Sequence, residues 1–316
     1  MNSFYLLEHP EVFQGSKKLN SNTKCYFEGW YFKNVSKDCN ISFIPGIQIE
    51  NDKKSAFIQV ITNNSSYYIS YSFSEFKFSY EPFSISIGEN YFSLNSIKLN
   101  IEQKDLTIKG ELFYNNHIEI QKNLFSPNIM GAFCFLPFME CNHCILSMKH
   151  DICGNLSIND ISYDFSDGIG YIEKDWGTSF PSSYIWSQAN EFKEKNCSFF
   201  LSIANIPYSI FSFNGFICSL ILNNIEYRFA TYNSSKILSY RVSKNNFNIK
   251  LKNKDLLLHI YSNSKDCFSL KSPKCGAMKN EIKESINSKI SVCLYEKEKL
   301  IFEDSSINCG LEIVIW

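Results

Sequence analysis

Along most of this chain apolar and polar residues alternate in short runs, and clusters of Asn, Gly, Lys and Asp separate one run from the next. Alternation with a period of two is the mark of half-buried strands, and turn residues at regular spacing join such strands into an antiparallel meander. In the first half the pattern predicts strands at Phe83–Ile87, Tyr91–Leu94, Ile97–Glu102 and Leu106–Tyr114, then a turn at Asn115-Asn116 into His117–Gln121. In the second half it predicts Phe211–Leu222, a turn at Asn223-Asn224, Ile225–Tyr232, Ile237–Val242, Asn246–Leu251 and Asp255–Tyr261. Lys289–Tyr295, Leu300–Glu303 and a closing strand Cys309–Trp316 complete the series. One helix is expected, over Met278–Asn287, where Met278, Ile282 and Ile286 recur every fourth residue.

Composition sharpens this picture. A chain of 316 residues with 44% hydrophobic and 20% charged residues folds rather than remaining disordered. Its length suits about two domains of about 150 residues each, and we divide it at 1–169 and 170–316. The 28 Phe, 18 Tyr and 4 Trp favour aromatic-lined β-structure, so the expected class is all-β, two antiparallel barrels or half-barrels. A net charge of -1 argues against nucleic acid or an anionic membrane surface as partner. The apolar start, Phe4–Leu7, is too short for a secretion signal. The greasiest window, Ser209–Leu222, is broken by Ser212, Asn214 and Ser219, so no stable membrane insertion is expected. The expected setting is the cytoplasm, with the 12 Cys reduced, and heavy use of Asn, Lys and Ile points to a low-GC bacterium. Cys141, Cys144, His150 and Cys153 have a spacing that invites zinc, yet a strand through CNHC puts the first two on opposite faces, and no metal is expected.

No phosphate loop, nucleophile elbow, zinc-helix or dinucleotide motif is present. The chemistry lies in strands whose faces mix aromatic and polar side chains. In YFEGWYFK, Glu28, Trp30 and Phe32 share one side, and Phe27, Tyr31 and Lys33 the other. In GIGYIEKDWG, Glu173 and Asp175 lie opposite Lys174 and Trp176. In SSYIWSQAN, Tyr184, Trp186, Gln188 and Asn190 line up together. Such faces suit a ligand cavity inside a barrel or between two barrels.

These same segments carry a family resemblance. FEGWYFK (Phe27–Lys33), the stretch Ser126–His143, GYIEKDWGTSFPSSYIWSQAN (Gly170–Asn190), SIANIPY, FNGFI and YRFATY (Tyr227–Tyr232) resemble the bacterial branch of the tocopherol cyclase family, from about residue 24 to about residue 295. More remotely, Asp175-Trp176-Gly177 resembles the wider carotenoid hydratase and AttH-like superfamily. The resemblance implies two lipocalin-like β-barrel domains with a ligand cavity near their interface. It implies cyclisation of a prenylated hydroquinone, in which a phenol adds across a prenyl double bond.

That reaction needs a strong proton donor, a dry pocket and stabilisation of a tertiary cation, with no cofactor. On that chemistry, rather than on roles carried over, Asp175 is the expected acid, with Glu28 or Glu173 as alternative acid or as base. Trp30, Tyr31, Trp176, Tyr184 and Trp186 are expected to form the substrate wall, Gln188 and Asn190 to orient hydroxyls, and His143 or His150 to relay a proton. The competing expectation is a non-catalytic carrier of a hydrophobic small molecule, built on the same fold.

Overall fold

The computed structural model describes residues 3–19, 21–124, 126–136, 139–208, 211–264 and 266–315. Parts of three expectations lie outside them: Ser209 and Ile210 of the apolar window, Pro137 and Phe138 of the Ser126–His143 segment, and Trp316 of the closing strand. Two short helices, α1 (Ser3–Glu8) and α2 (Ser16–Leu19), precede the sheets.

The first sheet is built from β1 (Cys25–Val35), β2 (Asn40–Glu50), β3 (Lys53–Thr62), β4 (Ser66–Ser72), β5 (Phe76–Tyr80), β6 (Phe83–Ile87), β7 (Asn90–Ser93), β8 (Ser96–Gln103), β9 (Leu106–Ile118), β10 (Cys141–Ile158), β11 (Ile161–Asp164) and β12 (Gly168–Gly177). Its order is β4-β3-β2-β1-β12-β10-β9-β8-β7-β6-β5, with β11 paired to β10. The second holds β13 (Tyr184–Ala189), β14 (Cys197–Tyr208), β15 (Phe211–Leu222), β16 (Ile225–Ala230), β17 (Lys236–Val242), β18 (Asn246–Asn253), β19 (Leu256–Asn263), β20 (Phe268–Lys274), β21 (Ala277–Glu296) and β22 (Lys299–Val314). Here the order is β16-β15-β14-β13-β22-β21-β19-β18-β17, with β20 paired to β21.

The meander is therefore present, and its tight turns are the left-handed ones that match strand twist. Asn223 and Asn224 have φ of 50° and 65°, and Asn159-Asp160 and Asn51-Asp52 behave alike. Four expectations need correction. Among the described residues neither sheet closes: β4 and β5 at the ends of the first, and β16 and β17 at the ends of the second, have no ladder between them, so these are open sheets rather than hydrogen-bonded barrels. The changeover between sheets falls between Gly177 and Tyr184, so β12, which a division at 169/170 cuts through, belongs wholly to the first. The expected helix Met278–Asn287 is the first half of β21. A four-residue repeat is also a multiple of two, and it places Met278, Ile282 and Ile286 on one strand face as readily as on one helix face. Nor does the chain turn at Asn115-Asn116. β9 runs on to Ile118, with Asn116 at φ 56° absorbing a register shift against β10.

Each sheet curls around its own apolar interior. The first core gathers Trp30, Phe32, Phe43, Ile58, Phe92, Ile108 and Ile172, drawn from strands across the whole sheet. The second gathers Ile185, Leu201, Leu220, Ile249, Ile260, Val292 and Leu311. A third cluster joins them: Tyr31, Ile145 and Tyr171 of the first sheet pack with Tyr184, Trp186, Phe200 and Ile286 of the second. Two sheets thus meet face to face through the outward side of β1, β12 and β10.

Candidate functional site

Alternation along β12 sends Ile172, Lys174 and Trp176 into the first core and turns Tyr171, Glu173 and Asp175 towards the second sheet. The ladders put Tyr31 of β1 and Ile145 of β10 beside Glu173, and His143 of β10 beside Asp175. From the other side, β13 offers Tyr184 and Trp186, with Glu312 of β22 opposite Trp186 and Glu284 of β21 opposite Glu312.

These groups form one network. His143 Nδ1 lies 2.9 Å from Asp175 Oδ1, and its Nε2 lies 3.8 Å from Glu173 Oε2. The imidazole stacks on Phe200 at 5.1 Å. Glu173 Oε2 accepts from Tyr171 OH at 2.5 Å and from Trp186 Nε1 at 3.0 Å. Across the gap Tyr184 OH donates to Glu312 Oε2 at 2.5 Å, and Tyr31 OH donates to Glu284 Oε1 at 2.6 Å.

Burial governs how these acids ionise. It pushes the Glu173 carboxyl up to about 7, with the Asp175 charge adding to it and His143 and the two hydrogen bonds opposing. Burial likewise lifts Glu312 to about 7 against the pull of Tyr184 and Glu284. Glu284 goes well above the usual range, from burial first and the neighbouring Glu312 charge second. Burial works against a charged His143, but Asp175 and Glu173 more than offset it and raise its pKa.

The network borders a cavity of about 880 Å³ including its mouth, lined by Met130, Met139, Phe180, Pro181, Tyr184, Trp186, Ala204, Ile206, Pro207 and Ile217 around His143, Glu173, Asp175 and Glu312. A second cavity, of about 500 Å³ with its opening to solvent included, lies on the side of β1 and β20–β21 and is lined by Phe27, Tyr31, Ile44, Phe57, Leu270 and Ile282. Glu173, Asp175, Phe180 and Glu312 line both, so the acids stand where the two cavities adjoin.

The residues singled out in the sequence divide accordingly. His143, Glu173, Asp175, Tyr184 and Trp186 border the first cavity and Tyr31 the second. Glu28, Trp30 and Trp176 lie on the opposite face of β1 and β12. There Glu28 pairs with Lys174 at 2.6 Å, and the Lys174 ammonium sits 4.8 Å and 4.9 Å from the Trp30 and Trp176 rings. His150 is also in that interior, 4.4 Å from the Tyr114 ring and bonded to Ser147, and burial holds it well below the usual His range. Gly170 makes room for it, since a Cβ there would come within 2.0 Å of His150 Nε2. Gln188 and Asn190 are fully buried and serve protein groups, Gln188 accepting from Lys33 at 3.2 Å and Asn190 donating to Gly170 O at 2.6 Å. A four-residue alternation places side chains on a face, but twist and packing decide which part of that face meets a cavity.

Two acids escaped the sequence reading. Glu312 stands alone between Leu311 and Ile313, a polar position inside an apolar strand that was the available signal. Glu284 was hidden by the helical reading of its segment. As for metals, Cys141 and Cys144 stand three ladder rows apart and face opposite ways, and Cys153 is exposed, so the cysteine spacing gathers nothing. Among the described residues the donors that do converge are those of His143, Glu173 and Asp175, within 4.8 Å of one another. A cation there would first have to displace the proton that burial keeps on Glu173.

The raised acids have a consequence for stability. Below about 4.5, the ordinary value, Glu173 and Glu312 are neutral whether the chain is folded or not. Between there and about 7 the unfolded chain ionises first, so stability present at low pH is lost as pH rises through that window. The raised His143 acts in the same sense above its ordinary value. His150, which burial holds well below the usual range, acts in the opposite sense, so the difference between wild type and Glu173→Gln isolates the carboxyl: the thermal midpoint of the wild type relative to that of the variant is expected to fall from pH 5 to pH 7.5 at constant ionic strength. A difference that climbs across this window would contradict the assignment.

Known proteins fit this architecture. The family model described as tocopherol cyclase-like matches residues 111–314, from β9 to the end of β22. A search of curated proteins finds no match. Among solved structures, CghA with Sch210972 is similar at 7% identity and a TM-score of 0.56, over 92% of this chain and 89% of that one. Kievitone hydratase from Nectria haematococca is similar at 11% identity and 0.54, over 96% and 94%. A protein assigned as AttH from Nitrosomonas europaea is similar at 8% identity and 0.53, over 96% and 98%. At these identities the likeness concerns the fold, and it covers both sheets.

Proposed function

This chain belongs to the tocopherol cyclase-like family, and from that premise we propose that it is an enzyme that protonates an alkene of a hydrophobic substrate held between its two sheets, in the finer reading closing a prenylated hydroquinone or phenol to a cyclic ether. The observation that carries the proposal is Glu173: a buried carboxyl lifted to about 7, on the wall of an apolar, aromatic cavity. Of the two carboxyls on that face, the geometry favours Glu173 over Asp175 as the donor, because Asp175 is engaged with His143 and is more exposed, 21% against 6%. Asp175 and His143 then act as a pair that returns a proton to Glu173.

In the proposed step Glu173 O–H gives its proton to the less substituted alkene carbon, and the π electrons form the new C–H bond. The positive charge falls on the tertiary carbon, where the faces of Trp186 and Tyr184 and the nearby carboxylates stabilise it in the absence of water. The phenol oxygen then forms the C–O bond and loses its proton to a base of the cavity. No electron is gained or lost overall, so the step needs no redox partner.

The test is incubation with a panel of prenylated hydroquinones and phenols in D₂O. The expected product is a chroman carrying one non-exchangeable deuterium on the ring carbon next to the new quaternary centre. Tight binding of panel members with every one recovered unchanged would favour a carrier of hydrophobic molecules instead.

A further inference from the structure

Glu284 and Glu312 face each other in the β21–β22 ladder, Glu284 closed off from solvent and Glu312 largely buried, in the wall opposite Glu173. Two carboxylates at adjoining ladder positions repel, so a buried pair of this kind keeps a proton. The hydrogen bonds say where it sits. Glu284 Oε1 accepts from Tyr31 OH, which itself accepts from Ser42 Oγ at 3.0 Å, whereas Glu284 Oε2 is buried and meets no donor. A buried carboxylate oxygen without a donor is costly; the same oxygen carrying a proton needs an acceptor instead, and the neighbouring carboxyl is Glu312. Glu312 Oε2 already accepts from Tyr184 OH, and Glu312 borders both cavities.

We propose that Glu312 is the base of the cavity, taking the proton released by the attacking oxygen, and that protonated Glu284 and Tyr184 are positioning residues that hold it as a carboxylate. This assignment rests on the alkene-activating reading, and gives it an acid on one sheet and a base on the other. The O–H of the nucleophile breaks as its oxygen bonds to the cationic carbon, the proton passes to Glu312, and Glu312 releases it once product leaves. The groups facing Glu312 are Tyr184 on β13, Glu284 on β21, Tyr31 on β1, His143 on β10, and Glu173 and Asp175 on β12. Because Glu312 and Glu173 both titrate near neutrality, one required ionised and the other protonated, the rate should pass through a maximum near pH 7.

The experiment has two readouts. Carboxyl-labelled glutamate ¹³C NMR of the free protein follows Glu312, assigned by its loss in Glu312→Gln, in wild type, Glu284→Gln and Glu284→Leu. Gln keeps a donor beside Glu312 and Leu does not, so the Glu312 titration should stay in place with Gln and rise by about one pH unit or more with Leu. Turnover of the panel above should fall about 10²-fold in Glu312→Gln, and the acidic limb of the rate profile should move up in Glu284→Leu and be rescued in Glu284→Gln. A Glu312 titration that does not move in Glu284→Leu, or Glu312→Gln turning over as the wild type does, would overturn the proposal. If wild type converts no panel member, the alkene-activating reading fails with it; the NMR titrations then separately support or sink the proton-sharing pair.

Discussion

Glu173→Gln is expected to lower turnover by about 10²–10⁴-fold, the usual contribution of a general acid, while leaving the cavity able to hold its ligand. The amide keeps the shape of the side chain and an oxygen able to accept from Tyr171 and Trp186, the two donors that fix the carboxyl now. What it removes is the proton that burial retains near neutrality. Asp175→Asn should cost less, because it loosens His143 without taking the acid away. Single-turnover rates beside ligand affinity separate the two effects. A Glu173→Gln protein with wild-type rate, or an Asp175→Asn protein more damaged than Glu173→Gln, would move the acid to Asp175.

Lys174→Met is expected to destabilise the protein by about 3–5 kcal/mol, the range for stripping one partner from a buried ion pair. Lys174 and Glu28 are both 0% exposed and 2.6 Å apart. Lys174 also donates to Pro10 O at 2.9 Å and Val12 O at 2.6 Å, while Glu28 accepts from Gln14 N, Gly15 N and Tyr26 OH. Together they pin the segment around residues 10–15 inside the first sheet, and the Lys174 ammonium lies over the rings of Trp30 and Trp176. Removing the ammonium strands a carboxylate there. The double variant Glu28→Gln/Lys174→Met, which leaves no stranded charge, should recover part of the loss. Urea midpoints of the two proteins check this, and a single variant losing less than about 1 kcal/mol would show that the pair contributes little.

Much of this fold can be read from alternation. The strands from Phe83 to Tyr114 and from Phe211 to Tyr261 follow their apolar runs, and the Asn-Asn turn at 223–224 takes the conformation those residues favour. Alternation also separates Glu173 and Asp175 from Lys174 and Trp176 correctly. It does not say which side of a strand looks into a sheet's own core and which looks at the other sheet, and that choice, made by long-range packing, is what removes Glu28, Trp30 and Trp176 from the cavity. His150 is lost to it for a second reason, the register shifts in β10 between Ile145 and His150. Gln188 and Asn190 keep to the expected side of their chain but are used up by Lys33 and Gly170. Glu284 and Glu312 come together only because β21 and β22 pair, and nothing local marks a residue's partner across a ladder. The family match, over 111–314, reaches β12, β13 and β22 but leaves β1 outside, although β1 supplies Tyr31.

The central claim is that the gap between the sheets converts a hydrophobic substrate by proton transfer from Glu173. The most direct measurement is mass spectrometry of the organic molecule extracted from wild type and from Glu173→Gln, each purified from the protein's own host. The account predicts that the variant retains an uncyclised, alkene-bearing molecule that is isomeric with, or one water short of, the material from the wild type. The same unaltered molecule from both proteins would contradict it.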